Sequence, residues 1–106
     1  MNNTYFGGVE VFKLIPQRPP IVQISSIDIT SELTATSTLL VKDDNYFVFE
    51  GVMYEPGLVE HIAQSAAAYA GYESYINNEE PHLGYIGEIK KCTFFGLPSI
   101  NDEITT

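Results

Sequence analysis

Basic residues are scarce in this chain: Lys13, Arg18, Lys42, Lys90 and Lys91 stand against fourteen Asp and Glu, a formal net charge of −9 over 106 residues. Such a surface repels phosphate backbones and anionic lipid headgroups, so neither nucleic acid nor membrane is an expected partner. Cysteine is limited to Cys92, which can form no internal disulfide and has no CxxC companion. It fits a reducing compartment and the role of a small buried hydrophobe. Histidine occurs only at His61 and His82, too few for a multi-histidine metal site within one subunit. No run approaches the roughly twenty apolar residues of a membrane span, and the start, MNNTYFGGVEVFKLIP, is not a basic leader followed by an apolar core. A cytoplasmic protein without metal or cofactor is expected. GxGxxG, GxxxxGK[ST], HExxH, GxSxG and EF-hand patterns are also missing, which removes sequence support for dinucleotide, P-loop, zincin, serine-hydrolase and calcium-loop chemistry.

What is present describes one domain: 44% of residues are hydrophobic, with six Pro and eight Gly and no repeat or linker. A chain this short buries a modest share of its surface, so a partner that covers apolar area is plausible from length alone. Val9 to Ile15 is a mixed apolar stretch leading into PQRPP, residues 16 to 20, where three prolines exclude a helix interior. IVQISSIDI (21 to 29) is β-branched and free of Gly and Pro, and LTATSTLLV (33 to 41) alternates Thr with apolar or small residues. The two read as an antiparallel hairpin. KDDN is turn chemistry, and the aromatic segment YFVFEGVMY follows it. LGYIGEIKKCTFF (83 to 95) returns to β character, GLPSIND turns, and EITT at the end opens a further strand. The sequence is therefore expected either to be a piece of a longer domain or to have its sheet completed by a partner chain.

One helix stands out. Pro56 suits a first turn, where its missing N–H is not needed, and Glu60 lies near the positive end of the helix dipole. From Ile62 to Tyr72 there is no charge and mostly Ala, Ser and Gly, the profile of a helix surrounded by protein on nearly every side. Glu60 and Gln64 share a face at four-residue spacing, whereas His61 is rotated about 100° away and reads as a partly exposed helix residue. A carboxylate among Val59, Ile62 and Ala63 is placed to act as general acid or base; its bland alternative is a helix-start carboxylate that only complements the dipole. Tyr46, Phe47, Phe49 and Tyr54 can line a tunnel for an alkyl chain or simply pack between helix and sheet.

Several of these segments resemble the beta-hydroxyacyl-ACP dehydratases. LIPQRPPIVQISSI, 14 to 27, is similar to that family's Leu-Pro-His-Arg-x-Pro signature, with Pro16, Arg18 and Pro20 in register and Gln17 at the His position. Val52-Met53, then Glu60, then Ala63-Gln64 look like the family's Val-Met, catalytic Glu and Ala-Gln, and IGEIKKCTFFGLPSINDEI (86 to 104) is similar to its later strand, turn and strand. The resemblance implies an α+β hotdog fold, an antiparallel sheet wrapped around one long central helix, here without its C-terminal strands. It also implies a dimer with active sites at the interface, either a homodimer or a heterodimer with a related hotdog subunit. Glu60 takes the place of the catalytic carboxylate and Gln64 that of the supporting amide. Tyr46 stands where the family has the His contributed by the partner subunit, while the Gly-His-Leu-Pro variant of relatives that make aryl polyenes would place its His at Val52. Phe47, Phe49, Met53, Gly57 and His61 become the substrate-contact candidates.

The implied activity is dehydration of a 3-hydroxyacyl thioester carried on acyl carrier protein or coenzyme A, in fatty-acid or polyene metabolism. Tyr46, His61 or a group outside the sequence would replace the His. Two alternatives stand beside it: a hotdog thioesterase that uses Glu60 as base or nucleophile, and a non-catalytic acyl-binding or pseudo-subunit. Both carriers are anionic, so cations at a tunnel mouth, for instance Arg18 with Lys90 or Lys91, would be needed.

Overall fold

The computed structural model describes residues 4–31, 34–79 and 91–106. In chain order these form β1 (Tyr5–Gly7), a 3-10 helix (Gly8–Lys13), β2 (Ser26–Ser31), β3 (Thr34–Leu40), β4 (Val48–Phe49), β5 (Val52–Met53), α1 (Glu55–Ile76) and β6 (Glu103–Thr105). The architecture is α+β: an antiparallel sheet in the order β1-β2-β3-β6, a small β4-β5 ribbon and one long helix.

Strand pairing follows the side-chain period of two. In β2 Ile27 and Ile29 turn inward, and in β3 Ser37 and Leu39 do, so one sheet face meets the helix. The register pairs Phe6 with Ile27, Ile27 with Ser37 and Leu39 with Ile104. The hairpin expected from 21 to 29 and 33 to 41 is thus present, but its first strand begins only at Ser26. The expected final strand is β6, seated against β3, with Thr106 and Ser37 exchanging both backbone hydrogen bonds at 2.9 and 2.8 Å. Of the β segment expected at 83 to 95, residues 83 to 90 lie outside the described residues and 91 to 95 form no strand.

The β4-β5 ribbon turns through Glu50 and Gly51, with φ of 52° and 82°. Two successive positive φ values are the signature of a type I′ turn, and Gly at the second position accepts that conformation without strain. The stretch 98–102 ties the ribbon to the sheet: Met53 N–H donates to Pro98 O, Ile100 N–H to Gly51 O and Asn101 N–H to Val41 O. This places the start of α1 beside the sheet.

Helix α1 begins with Pro56 in its first turn, as the sequence indicates. Its buried stripe is Gly57, His61, Gln64, Ser65, Ala68, Gly71 and Ser74, small or polar rather than apolar. Small residues allow close approach: a Cβ on Gly71 would overlap the Leu14 carbonyl oxygen. The core lies to either side of this stripe. One cluster gathers Phe6, Val11, Leu14, Ile15, Ile24, Ile27 and Ile29 around Ala68, with Tyr72 and Tyr75 edge-on to the Phe6 ring at 6.0 and 5.2 Å. The other joins Leu39, Val41 and Met53 to Phe47 and Leu58. The opposite stripe of α1, including Ile62, Ala66, Ala70 and Ile76, is exposed among the described residues. The expected enclosure on nearly every side is therefore found on one side only. Cys92, expected to be buried, is exposed.

Among the described residues no helix is long and apolar enough to cross a membrane.

Candidate functional site

Two polar side chains on the buried stripe of α1, His61 and Gln64, reach one irregular stretch, residues 21 to 24, just before β2, whereas Ser65 bonds Ser37 of β3. Gln64, buried with 1% exposure, accepts a hydrogen bond at Oε1 from Gln23 N–H at 2.6 Å. Its Nε2 donates to Ile21 O at 2.9 Å and to Glu60 Oε1 at 2.9 Å. The orientation of this amide follows from its partners. A backbone N–H can only donate and a backbone C=O can only accept, so Oε1 must face Gln23 and the NH2 must face Ile21. The second amide hydrogen is then committed to Glu60 Oε1. Glu60 itself is half-buried at the second turn of α1. It accepts at Oε1 while Oε2 has no partner among the described residues.

His61 is fully buried, at 0% exposure, not on the helix surface as expected. Its Nδ1 lies 2.7 Å from Gln23 O and its Nε2 2.9 Å from Thr106 Oγ1. Because a carbonyl cannot donate, Nδ1 carries the proton, and in the neutral ring Nε2 accepts from the threonine hydroxyl. Burial pushes the imidazole pKa below its ordinary value, partly offset by the bond to Gln23. The neutral Nδ1–H tautomer is thus the resting form. The helix wheel correctly separates His61 from Glu60, yet the side it turns to is interior.

Gln23 is the residue the sequence reading did not single out. Its backbone N–H and C=O are both taken by α1 side chains, and its side-chain Oε1 accepts from Asn45 Nδ2 at 2.7 Å. Asn45 in turn accepts from Phe47 N–H at 2.8 Å, which fixes the direction of both amides. The remaining Gln23 Nε2 is buried without an acceptor among the described residues, and so is Gln17 Oε1 without a donor. The available signal was a lone amide within the apolar run IVQI.

The other candidates lie elsewhere. Tyr46 is 63% exposed, with its ring edge-on to Phe47 at 5.1 Å. Phe49 and Tyr54 are exposed, whereas Phe47 is half-buried against the second core cluster. Met53 is fully buried within that cluster, and Gly57 is packed so tightly that a Cβ would come 2.7 Å from Phe47 Cβ. Arg18 spends its guanidinium on the carbonyls of Phe12, Ile15 and Gln17 and stacks on the Phe12 ring at 4.9 Å. It serves the end of the 3-10 segment; Lys91 is exposed and Lys90 lies outside the described residues. A groove of about 280 Å³ runs along the open side of α1 past Ser37, Ile62, Ser65 and Thr106. A larger one of about 580 Å³ lies between the far end of α1 and β2. No three His, Cys, Asp or Glu side chains gather as a metal site among the described residues.

The family model of ApeP-like proteins, described as ApeP dehydratase, matches residues 9–94, which include every residue of this network except Thr106. Comparison with curated proteins gives no match.

Proposed function

The chain belongs to the ApeP-like dehydratase family, and from that premise we propose that it is a hotdog-fold protein that dehydrates 3-hydroxyacyl thioesters with Glu60 as its catalytic carboxylate. The observation that carries this reading is the Gln64 amide, whose partners leave it no choice but to donate to Glu60 Oε1. A carboxylate held by one oxygen leaves the other available for proton transfer.

In the proposed reaction the C–H bond α to the thioester carbonyl and the C–O bond to the β-hydroxyl both break. A C=C bond forms and water leaves. Glu60 takes the α-proton, made acidic by the adjacent thioester. A second group must protonate the departing hydroxyl, and Tyr46, at the family's His position, is the candidate. Its exposure of 63% leaves the phenol accessible to a second copy of the chain, as an interface active site in a dimer would require. The acyl group is carried on acyl carrier protein or coenzyme A.

The test is turnover of short 3-hydroxyacyl and 2-enoyl thioesters by purified protein, followed at the absorbance of the conjugated enoyl thioester. Wild type is expected to interconvert them, and Glu60→Gln to lose about 100-fold or more, as removal of a general acid–base group does. Release of free thiol without alkene would instead identify a thioesterase. Binding without turnover in wild type and variant alike would identify a non-catalytic subunit.

A further inference from the structure

We infer that His61 is a positioning residue for Glu60, acting through the main chain of Gln23 and the side-chain amide of Gln64. The inference rests on the reading of Glu60 as the catalytic carboxylate and adds a component to it.

Three hydrogen bonds make the connection. His61 Nδ1–H donates to Gln23 O at 2.7 Å, Gln23 N–H donates to Gln64 Oε1 at 2.6 Å, and Gln64 Nε2–H donates to Glu60 Oε1 at 2.9 Å. Residues 21 to 24 belong to no strand, so no sheet ladder holds the N–H and C=O of Gln23. Both are held by α1, and His61 and Gln64, three residues apart, grip them like two fingers of one hand. The Gln23 N–H and C=O belong to successive planar peptide units that share the Gln23 Cα, so anchoring the carbonyl leaves only the φ and ψ of that one residue through which the N–H can swing. Together with the Ile21 carbonyl, that N–H decides which end of the Gln64 amide faces Glu60. Were Gln64 to flip, its oxygen would face the carboxylate oxygen and its NH2 would face an N–H, and both contacts would be repulsive. A tight packing role for His61 alone would not need the donor nitrogen to face this particular carbonyl.

The second ring nitrogen makes the inference separable. Nε2 is engaged with Thr106 Oγ1 at 2.9 Å, a contact that leads to the sheet and not to Glu60. Asparagine places an amide N–H near the Nδ1 position, and glutamine places one near Nε2. His61→Asn therefore keeps the arm to Gln23 and drops the arm to Thr106, and His61→Gln does the reverse.

The experiment measures kcat and KM for the enoyl thioester in wild type, His61→Asn, His61→Gln and His61→Leu, with the hydrogen exchange of the Gln64 side-chain NH2 followed by NMR. His61→Asn is expected to hold kcat within a few-fold and to keep the Gln64 amide protected. His61→Gln and His61→Leu are expected to lose kcat about 10- to 100-fold, the scale of a small misplacement of a reacting group, with KM little changed. Loss of the same size in His61→Asn, or unchanged kcat and Gln64 protection in His61→Gln, overturns the inference. If wild type itself has no turnover, the dehydratase reading fails while the Gln64 exchange still decides the connection. If the variants do not fold, the imidazole nitrogen spectrum of wild type decides: a proton on Nδ1 is required, and an Nε2–H tautomer overturns it.

Discussion

Replacing Gln64 with Leu should unseat the segment before β2. The substitution conserves shape but removes the partner of Gln23 N–H and of Ile21 O together with the donor to Glu60. Two peptide groups lose their hydrogen bonds in or beside the core, at about 1–3 kcal/mol for each group left unpaired. The gain from a buried apolar side chain offsets about 1–2 kcal/mol of this, and at mid-range the net loss is about 2–3 kcal/mol. Urea denaturation followed by far-UV circular dichroism measures it. With a slope of about 1–2 kcal/mol per molar for a small domain, the midpoint should fall by about 1 M or more.

Gln64→Glu supplies the control. It can still accept from Gln23 N–H but cannot donate to Ile21 O, and as a carboxylate four residues from Glu60 it adds a like charge on one helix face. It should be at least as destabilising as Leu at pH 7 and recover in mild acid, where a protonated carboxyl can donate once. A loss below about 1 kcal/mol for Gln64→Leu would mean that water satisfies residues 21 to 24. In that case α1 would not stand in for a neighbouring strand there.

Other outcomes follow from single contacts. Gly71→Ala gains about 1 kcal/mol of helix propensity, yet its Cβ meets the Leu14 carbonyl, main chain that cannot rotate away. A net loss of about 1–3 kcal/mol is expected from overpacking, seen as a Tm lower by several degrees; an unchanged Tm would contradict the close approach. Because burial holds the His61 pKa below 6.5, the unfolded chain takes up this proton first as pH falls. Stability should therefore drop as pH is lowered below about 6.5 until the folded imidazole also titrates, and be flat with respect to this group above it. Urea midpoints from pH 7.5 to 5.5 should fall more steeply in wild type than in His61→Asn, and parallel slopes would refute this. Arg18→Lys keeps the charge without the fork that reaches Phe12, Ile15 and Gln17. It should cost about 1 kcal/mol by the same denaturation.

Part of this organisation was legible in the residues. Pro56 marked the start of α1, the β-branched and Thr-alternating runs marked β2 and β3, and four-residue spacing paired Glu60 with Gln64. What was not legible depends on which helix face meets the sheet. Apolar periodicity normally answers that, but here the buried stripe is Gly, Ala, Ser, Gln and His, while Ile62 and Ile76 are exposed. With no apolar stripe to point inward, His61 read as a surface residue. The late start of β2 has a related cause. Residues 21 to 24 have strand composition, yet the backbone groups of Ile21 and Gln23 are engaged by helix side chains, so no ladder forms. Propensity reports what a segment favours in isolation, and here tertiary partners decide.

The unusual composition of the buried stripe has one physical explanation. A segment that runs beside a helix instead of a strand brings peptide groups into the interior, and each needs a partner. Apolar residues on α1 would seal that interior but strand those groups. Gln64 and His61 satisfy them. Once Gln64 is in place, one amide hydrogen remains, and the residue one turn back along the helix is Glu60. The carboxylate is therefore held by the same side chain that holds the fold. It follows that Gln64 cannot be varied for activity without a cost in stability. Variants that separate the two must act on Glu60 itself, whose removal frees one amide hydrogen but leaves Ile21 and Gln23 fully paired.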